Sequence, residues 1–133
     1  MVALAQAALE ELNAAVEEAV VDATSHTDGL RRALAAIIPL ANRQWFLAHE
    51  PVESDPGIAA AYKADMDELY AEIEAARAEE TFADDVPTKW IAETYENLIY
   101  GAWTLVRDGD ATPKQAADLA WRTLTTGLKG DEK

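Results

Sequence analysis

The chain of 133 residues reads as all-α, on three observations. Apolar residues recur every third or fourth position through five long stretches. No segment alternates with a period of two over a useful length, so nothing reads as a strand. Turn residues separate the stretches, and Pro56, Pro87 and Pro113 stand at three of the expected helix starts. Five helices are predicted in one domain spanning 1–133, with room for a short extra turn in the 50–55 loop. Half of the residues are hydrophobic, which excludes a wholly disordered chain and provides for a real core.

Residues 2–22 form the first predicted helix. Leu4, Ala8, Leu12, Val16 and Val20 repeat every fourth residue, and Leu9 and Ala19 widen the stripe. Glu10, Glu11, Glu17, Glu18 and Asp22 make a charged side without Lys or Arg, the mark of a solvated face. Residues 23–28 connect it to a second helix over 30–49, with Thr27 or Asp28 as cap. There Leu30, Leu34, Ile37, Ala41, Trp45 and Ala48 share a face, with Gln44 in the same register. Pro39 interrupts this helix, removing one backbone hydrogen bond and crowding the carbonyl of Ala35, so a kink is expected. The bend either wraps the helix around the core or opens space for a ligand beside Asn42, Gln44, Trp45 and Phe46.

After the turn-rich loop 50–55, a third helix starts at Pro56, capped by Ser54 or Asp55. Ile58, Tyr62, Met66, Leu69, Ile73 and Ala76 make its stripe, and Asp65 and Glu72 lie at the stripe's edge. The link 79–86 leads into a helical hairpin over 85–128 that holds three of the four tryptophans, Trp90, Trp103 and Trp121. Its first helix is apolar around far more than one face. With Leu98 at the centre, Ile91, Tyr95, Ala102 and Leu105 fall in one stripe. Ala92, Ile99, Trp103 and Val106 lie to one side, and Trp90, Thr94, Asn97 and Gly101 to the other. Lys89, Glu93, Glu96, Tyr100 and Arg107 are left for water. So wide an apolar surface calls for neighbours in two directions, one of them a second copy of the chain. The second helix opens with Thr112-Pro113-Lys114-Gln115: a capping Thr, Pro at the first helical position, and Gln three residues after the cap. Ala117, Ala120, Trp121, Leu124 and Leu128 form its stripe. Gly101, costing roughly 1 kcal/mol against Ala in an exposed helix, fits a close helix crossing or loose local packing beside Trp103.

The run Leu98-Ile99-Tyr100-Gly101-Ala102-Trp103, then Asp108-Gly109, Thr112-Pro113 and Leu124-Thr125-Thr126-Gly127-Leu128, resembles the end of a tetracycline-repressor (TetR) family regulator. The individual motifs are degenerate; their order and spacing carry the likeness. It implies an orthogonal bundle of five or six helices of the TetR C-terminal-domain type. In that family the last two helices pair with those of the partner as a four-helix dimer interface, and the preceding helices enclose a small-molecule pocket. Family members begin with a helix-turn-helix domain of roughly fifty residues, and this sequence starts where that domain would already have ended. The resemblance thus implies a small-molecule-sensing and dimerisation domain unable to bind DNA by itself. Its first helix would then take force or position from the absent reader. The alternatives are a stand-alone helical protein that heterodimerises with, or sequesters, a full-length regulator, and a structural bundle with no ligand.

Composition narrows the function classes. Eleven Lys and Arg against 25 Asp and Glu leave a net charge of −14, which repels phosphate backbones and argues against direct nucleic-acid binding. Without cysteine there is neither a disulfide framework nor a thiolate metal site. No apolar run reaches membrane-spanning length and Met1 leads straight into an Ala/Glu-rich helix, so a cytoplasmic protein without membrane attachment is expected. Carboxylate-bridged metal pairs in bundles need inward Glu-x-x-His, and neither His26 nor His49 has a Glu three residues before it. His49, Glu50 and Glu53 are a nonspecific local grouping. No Cys, nucleophile elbow or Gly-rich phosphate loop is present, so no enzyme, metal or cofactor is expected.

A binding module remains, with an apolar or aromatic effector oriented by a few polar groups. Candidate ligand-binding residues are Asn42, Gln44, Trp45, Tyr62, Met66, Trp90, Thr94 and Asn97. They are expected around a cavity between the second helix, the third and the 85–107 helix, close to Pro39. Candidate homodimer-interface residues are Ile99, Gly101, Trp103, Val106, Ala117, Ala120, Trp121, Leu124 and Leu128.

Overall fold

A computed structural model describes residues 2–40 and 56–128. They form five α-helices and one 3-10 turn, and no strand occurs among them. The helices are α1 (Val2–Val20), α2 (His26–Ile37), α3 (Pro56–Arg77), α4 (Thr88–Arg107) and α5 (Pro113–Thr126), with the 3-10 turn Ile38–Leu40 following α2. The all-α fold is the one the periodicity predicts. α1 packs chiefly on α2 and α5 on α4, while α2 lies among α3, α4 and α5 at the centre.

The core draws on the last four helices and the link between α3 and α4. Leu30, Leu34 and Ile38 meet Ile73, Ala76 and Phe82, then Ile91, Ala92, Tyr95, Ile99 and Ala102 of α4, and Ala116, Ala117 and Ala120 of α5. The small residues Ala116, Ala117 and Ala120 form the buried face of α5 against the other helices. α1 buries Ala8, Leu9 and Leu12 outside that cluster.

The helix ends show how the chain is cut into these lengths. α2 starts at His26, earlier than the cap residues Thr27 and Asp28 imply, because Ser25 is the cap: its hydroxyl accepts the Asp28 N–H at 3.0 Å. Asp28 reaches back to accept the Thr24 N–H at 3.1 Å and also takes the Arg32 Nε–H at 2.8 Å. The regular α-helix ends at Ile37, and Ile38–Leu40 tightens into a 3-10 turn. Pro39 sits inside that 3-10 turn, where its missing N–H takes one hydrogen bond out of the regular ladder. The expected continuation through 41–49, with the loop 50–55 and its His49, Glu50 and Glu53, lies outside the described residues.

α3 closes in a Schellman turn. Thr81 N–H reaches back to Ala76 O at 3.4 Å and Glu80 N–H to Arg77 O at 3.0 Å, with Glu80 at φ 62° in the left-handed position usually given to Gly. Arg77 then gathers the link to α4, donating through Nη2 to Asp84 O at 3.0 Å and through Nη1 to Val86 O. α4 ends in a second Schellman turn, Asp110 N–H to Leu105 O at 2.8 Å and Gly109 N–H to Val106 O at 3.1 Å, around Gly109 at φ 79°. α5 opens with the predicted capping box: Thr112 Oγ1 accepts the Gln115 N–H at 3.1 Å, and Gln115 Oε1 accepts the Thr112 N–H at 2.9 Å.

Two long-range anchors fix α2. Tyr95, buried on α4, donates its hydroxyl to Leu30 O at 2.8 Å. Burial pushes that phenol far above its ordinary range, so it remains a donor. Glu79, just past α3, accepts the backbone N–H groups of His26 and Thr27, each at 3.0 Å. These are orphan donors of the α2 N-terminus, where a carboxylate also complements the helix dipole.

Candidate functional site

A cleft of about 910 Å³ opens between α1, α2 and α3, with Tyr95 and Glu96 of α4 at its end. α1 supplies one wall through Leu9, Leu12, Val16 and Val20, which follow one helical stripe. α2 supplies the floor with Leu30, Ala33 and Ile37, and α3 the other wall with Met66 and Leu69. The stripe residues Val16, Val20, Met66 and Leu69 are only half-buried, so the cleft has an apolar interior that solvent reaches.

Polar groups line its rim. Asp65 on α3 and Asn13 on α1 both line the cleft, from opposite walls. Burial raises the Asp65 carboxyl above the usual range, the nearby Asn13 amide partly opposes this, and Glu68 adds to the rise. His26 Nδ1 lies 3.0 Å from Glu72 Oε2, and that hydrogen bond, with the charge of Glu72, raises the imidazole above its ordinary value. Glu79, which does not line the cleft, is held below the ordinary carboxylate range, first by the Thr27 hydroxyl at 2.5 Å and then by the Thr27 N–H. Such a surface can bind and orient a molecule with an apolar body. Among the described residues no group of three His, Cys, Asp or Glu side chains converges to hold a metal ion.

The cleft differs in place from the cavity expected near Pro39. Of the candidate ligand-binding residues, Met66 lines it. Asn42, Gln44 and Trp45 lie outside the described residues, as does the side chain of Tyr62. Trp90, Thr94 and Asn97 are not brought to the cleft. Trp90 is 66 % exposed, the Thr94 hydroxyl donates to Trp90 O at 2.7 Å, and the exposed Asn97 amide donates to Glu93 O at 2.9 Å. The reason is the rotation of α4. Its buried face runs through Ala92, Tyr95, Ile99 and Ala102 rather than centring on Leu98, which is half-buried. The flank carrying Trp90, Asn97 and Gly101 therefore turns to solvent, and Glu96, expected in water, reaches the end of the cleft.

The candidate interface divides in the same way. Ile99, Ala117 and Ala120 are buried in the chain's own core and offer no surface to a partner. Trp103, Val106, Trp121 and Leu124 pack against that core half-buried, while Gly101 and Leu128 are exposed. Arg107 covers part of Trp103, its guanidinium carbon 5.1 Å from the ring centroid. A Cβ at Gly101 would meet nothing within 4 Å, so no close crossing occurs there among the described residues.

Sequence reasoning passed over Asn13, His26 and Glu68 as lining residues. Asp65 and Glu72 left a signal, both being acids at the edge of an apolar stripe. A comparison with protein families, with curated proteins and with solved structures finds no match for the chain.

Proposed function

We propose that the chain is the small-molecule-sensing and dimerisation domain of a TetR-like transcriptional regulator, which needs a separate domain to read DNA. The observation that carries this reading is the cleft of about 910 Å³ with apolar walls and a polar rim, within the few-hundred to about 1,000 Å³ usual for small-molecule sites. The terminal hairpin α4–α5 supports it, since Leu98, Leu105, Trp121 and Leu124 stay half-buried and Leu128 exposed. Charge argues against a direct role on DNA. Arg31, Arg32, Lys63 and Arg107 each pair with a carboxylate, and Arg77 with backbone carbonyls, so these cations form no free phosphate-binding patch. No described helix is long and apolar enough to cross a membrane.

Sedimentation and a thermal-shift screen test the two halves of the reading. A two-fold dimer burying on the order of 1,200–2,000 Å² is expected at micromolar concentration. An apolar or aromatic effector is expected to raise the melting temperature, because binding to the folded state alone must do so. A strictly monomeric chain that no ligand stabilises would overturn the proposal.

A further inference from the structure

The structure points to an amphiphilic organic cation as the cleft's ligand: an apolar or aromatic body carrying an amine, amidinium or quaternary onium centre. This inference rests on the ligand-binding reading above and narrows its substrate class. The cleft is charged asymmetrically. Glu17 of α1, Asp65, Glu68 and Glu72 of α3 and Glu96 of α4 line it, so carboxylates approach from three helices around an apolar interior. No Lys or Arg lines it among the described residues.

The imbalance is local and is not a restatement of the net charge. Arg31, Arg32, Lys63 and Arg107 are drawn to Asp118, Asp28, Asp67 and Asp108, none of which lines the cleft. His26 is the basic group that does line it, and it serves Glu72 at one end. An anion entering between the walls would meet carboxylates on both sides. A neutral molecule would gain the apolar contacts alone. A cation with an apolar body gains both, because low-dielectric walls concentrate the field of the acids at the mouth. Asp65 lines the cleft half-buried between the exposed positions of Glu68 and Glu72 and the apolar Met66 and Leu69, so it is the least solvated of the α3 carboxylates there. A positive centre beside it offsets the cost of holding that charge away from water.

Calorimetry on the full chain with three probes of similar bulk tests this: tetraphenylphosphonium, triphenylphosphine oxide and tetraphenylborate. The phosphonium is expected to bind saturably, one per chain, roughly tenfold or more tighter than the neutral oxide, with no detectable borate binding. Asp65→Asn with Glu68→Gln is expected to weaken the phosphonium roughly tenfold, and Glu17→Gln on the opposite wall to weaken it several-fold, about the size of a partly solvated charge contact. Unliganded melting curves verify that each variant folds. The outward pair Glu10→Gln with Glu18→Gln removes the same charge and is expected to leave affinity within about twofold. Oxide binding as tight as the phosphonium overturns the cation inference and leaves the binding reading standing. Equal losses from the outward and cleft pairs reduce the effect to surface attraction and overturn it as well. If none of the probes binds, the cation inference falls, while the binding reading stands or falls on the sedimentation and thermal-shift screen above.

Discussion

Glu79 and Thr27, separated by more than fifty positions in sequence, form a two-point lock: one carboxylate oxygen accepts the Thr27 N–H at 3.0 Å and its hydroxyl at 2.5 Å. The second oxygen takes the His26 N–H, so the end of α3 caps the start of α2. Glu79→Ala is expected to lower the melting temperature more than Glu79→Gln, which keeps one acceptor oxygen. Because the folded carboxyl is held below its ordinary value of 4.5, this stabilisation is present above that value and lost as pH falls through the lower folded one. The melting temperature of Glu79→Gln should therefore fall less than that of the parent between about pH 5 and pH 3.

His26 acts in the opposite sense. Its imidazole is raised above 6.5 by Glu72, so the pair stabilises the fold below 6.5 and releases that contribution as pH climbs through the folded value. Melting curves of the parent and His26→Gln should differ most on the acid side of 6.5 and converge above it. A difference that grows with alkalinity would refute the pairing.

Removing the Tyr95 hydroxyl tests the other anchor. Tyr95→Phe leaves the packing intact but strips the buried Leu30 carbonyl of this donor, at an expected cost of about 1–2 kcal/mol. Urea unfolding at constant m-value measures it.

Gly101 separates chain from dimer. With open space around its Cβ, Gly101→Ala should stabilise the isolated chain by about 1 kcal/mol, through helix propensity alone. If a second copy crosses α4 closely at this point, the same methyl group must weaken the dimer in sedimentation. A variant that gains stability and dimerises unchanged places the crossing elsewhere.

What the sequence revealed was local. The capping box at Thr112 and Gln115 spans four residues and follows directly from their chemistry. The stripe from Met66 to Ala76 was legible because acids punctuate α3 on its other sides. α4 was harder, since Trp90, Leu98, Ile99 and Gly101 offer apolar or small candidates nearly all round. Periodicity could not choose between a seam on Leu98 and one on Ile99; packing against α2 and α5 chose. That choice moved Trp90, Thr94 and Asn97 away from any pocket. The Glu79 cap and the meeting of Asn13 and Asp65 in one cleft depend on residues some fifty positions apart coming together in space, which no spacing rule encodes. The cleft itself is an angle between helices, and neither helix carries that angle in its own residues.

The separate burial of Ala8, Leu9 and Leu12 bears on how the molecule comes apart. α2 is clamped at its first turn by Glu79 and at its middle by Tyr95, whereas α1 adheres mainly through its contact with α2. The two are expected to be distinct cooperative units. Amide protons along α1 should exchange through a low-energy partial opening, while those of Leu34, Ile73 and Ile99 should exchange only through global unfolding. A cleft ligand touches both units, so it should slow exchange in α1 by more than it slows exchange in the core.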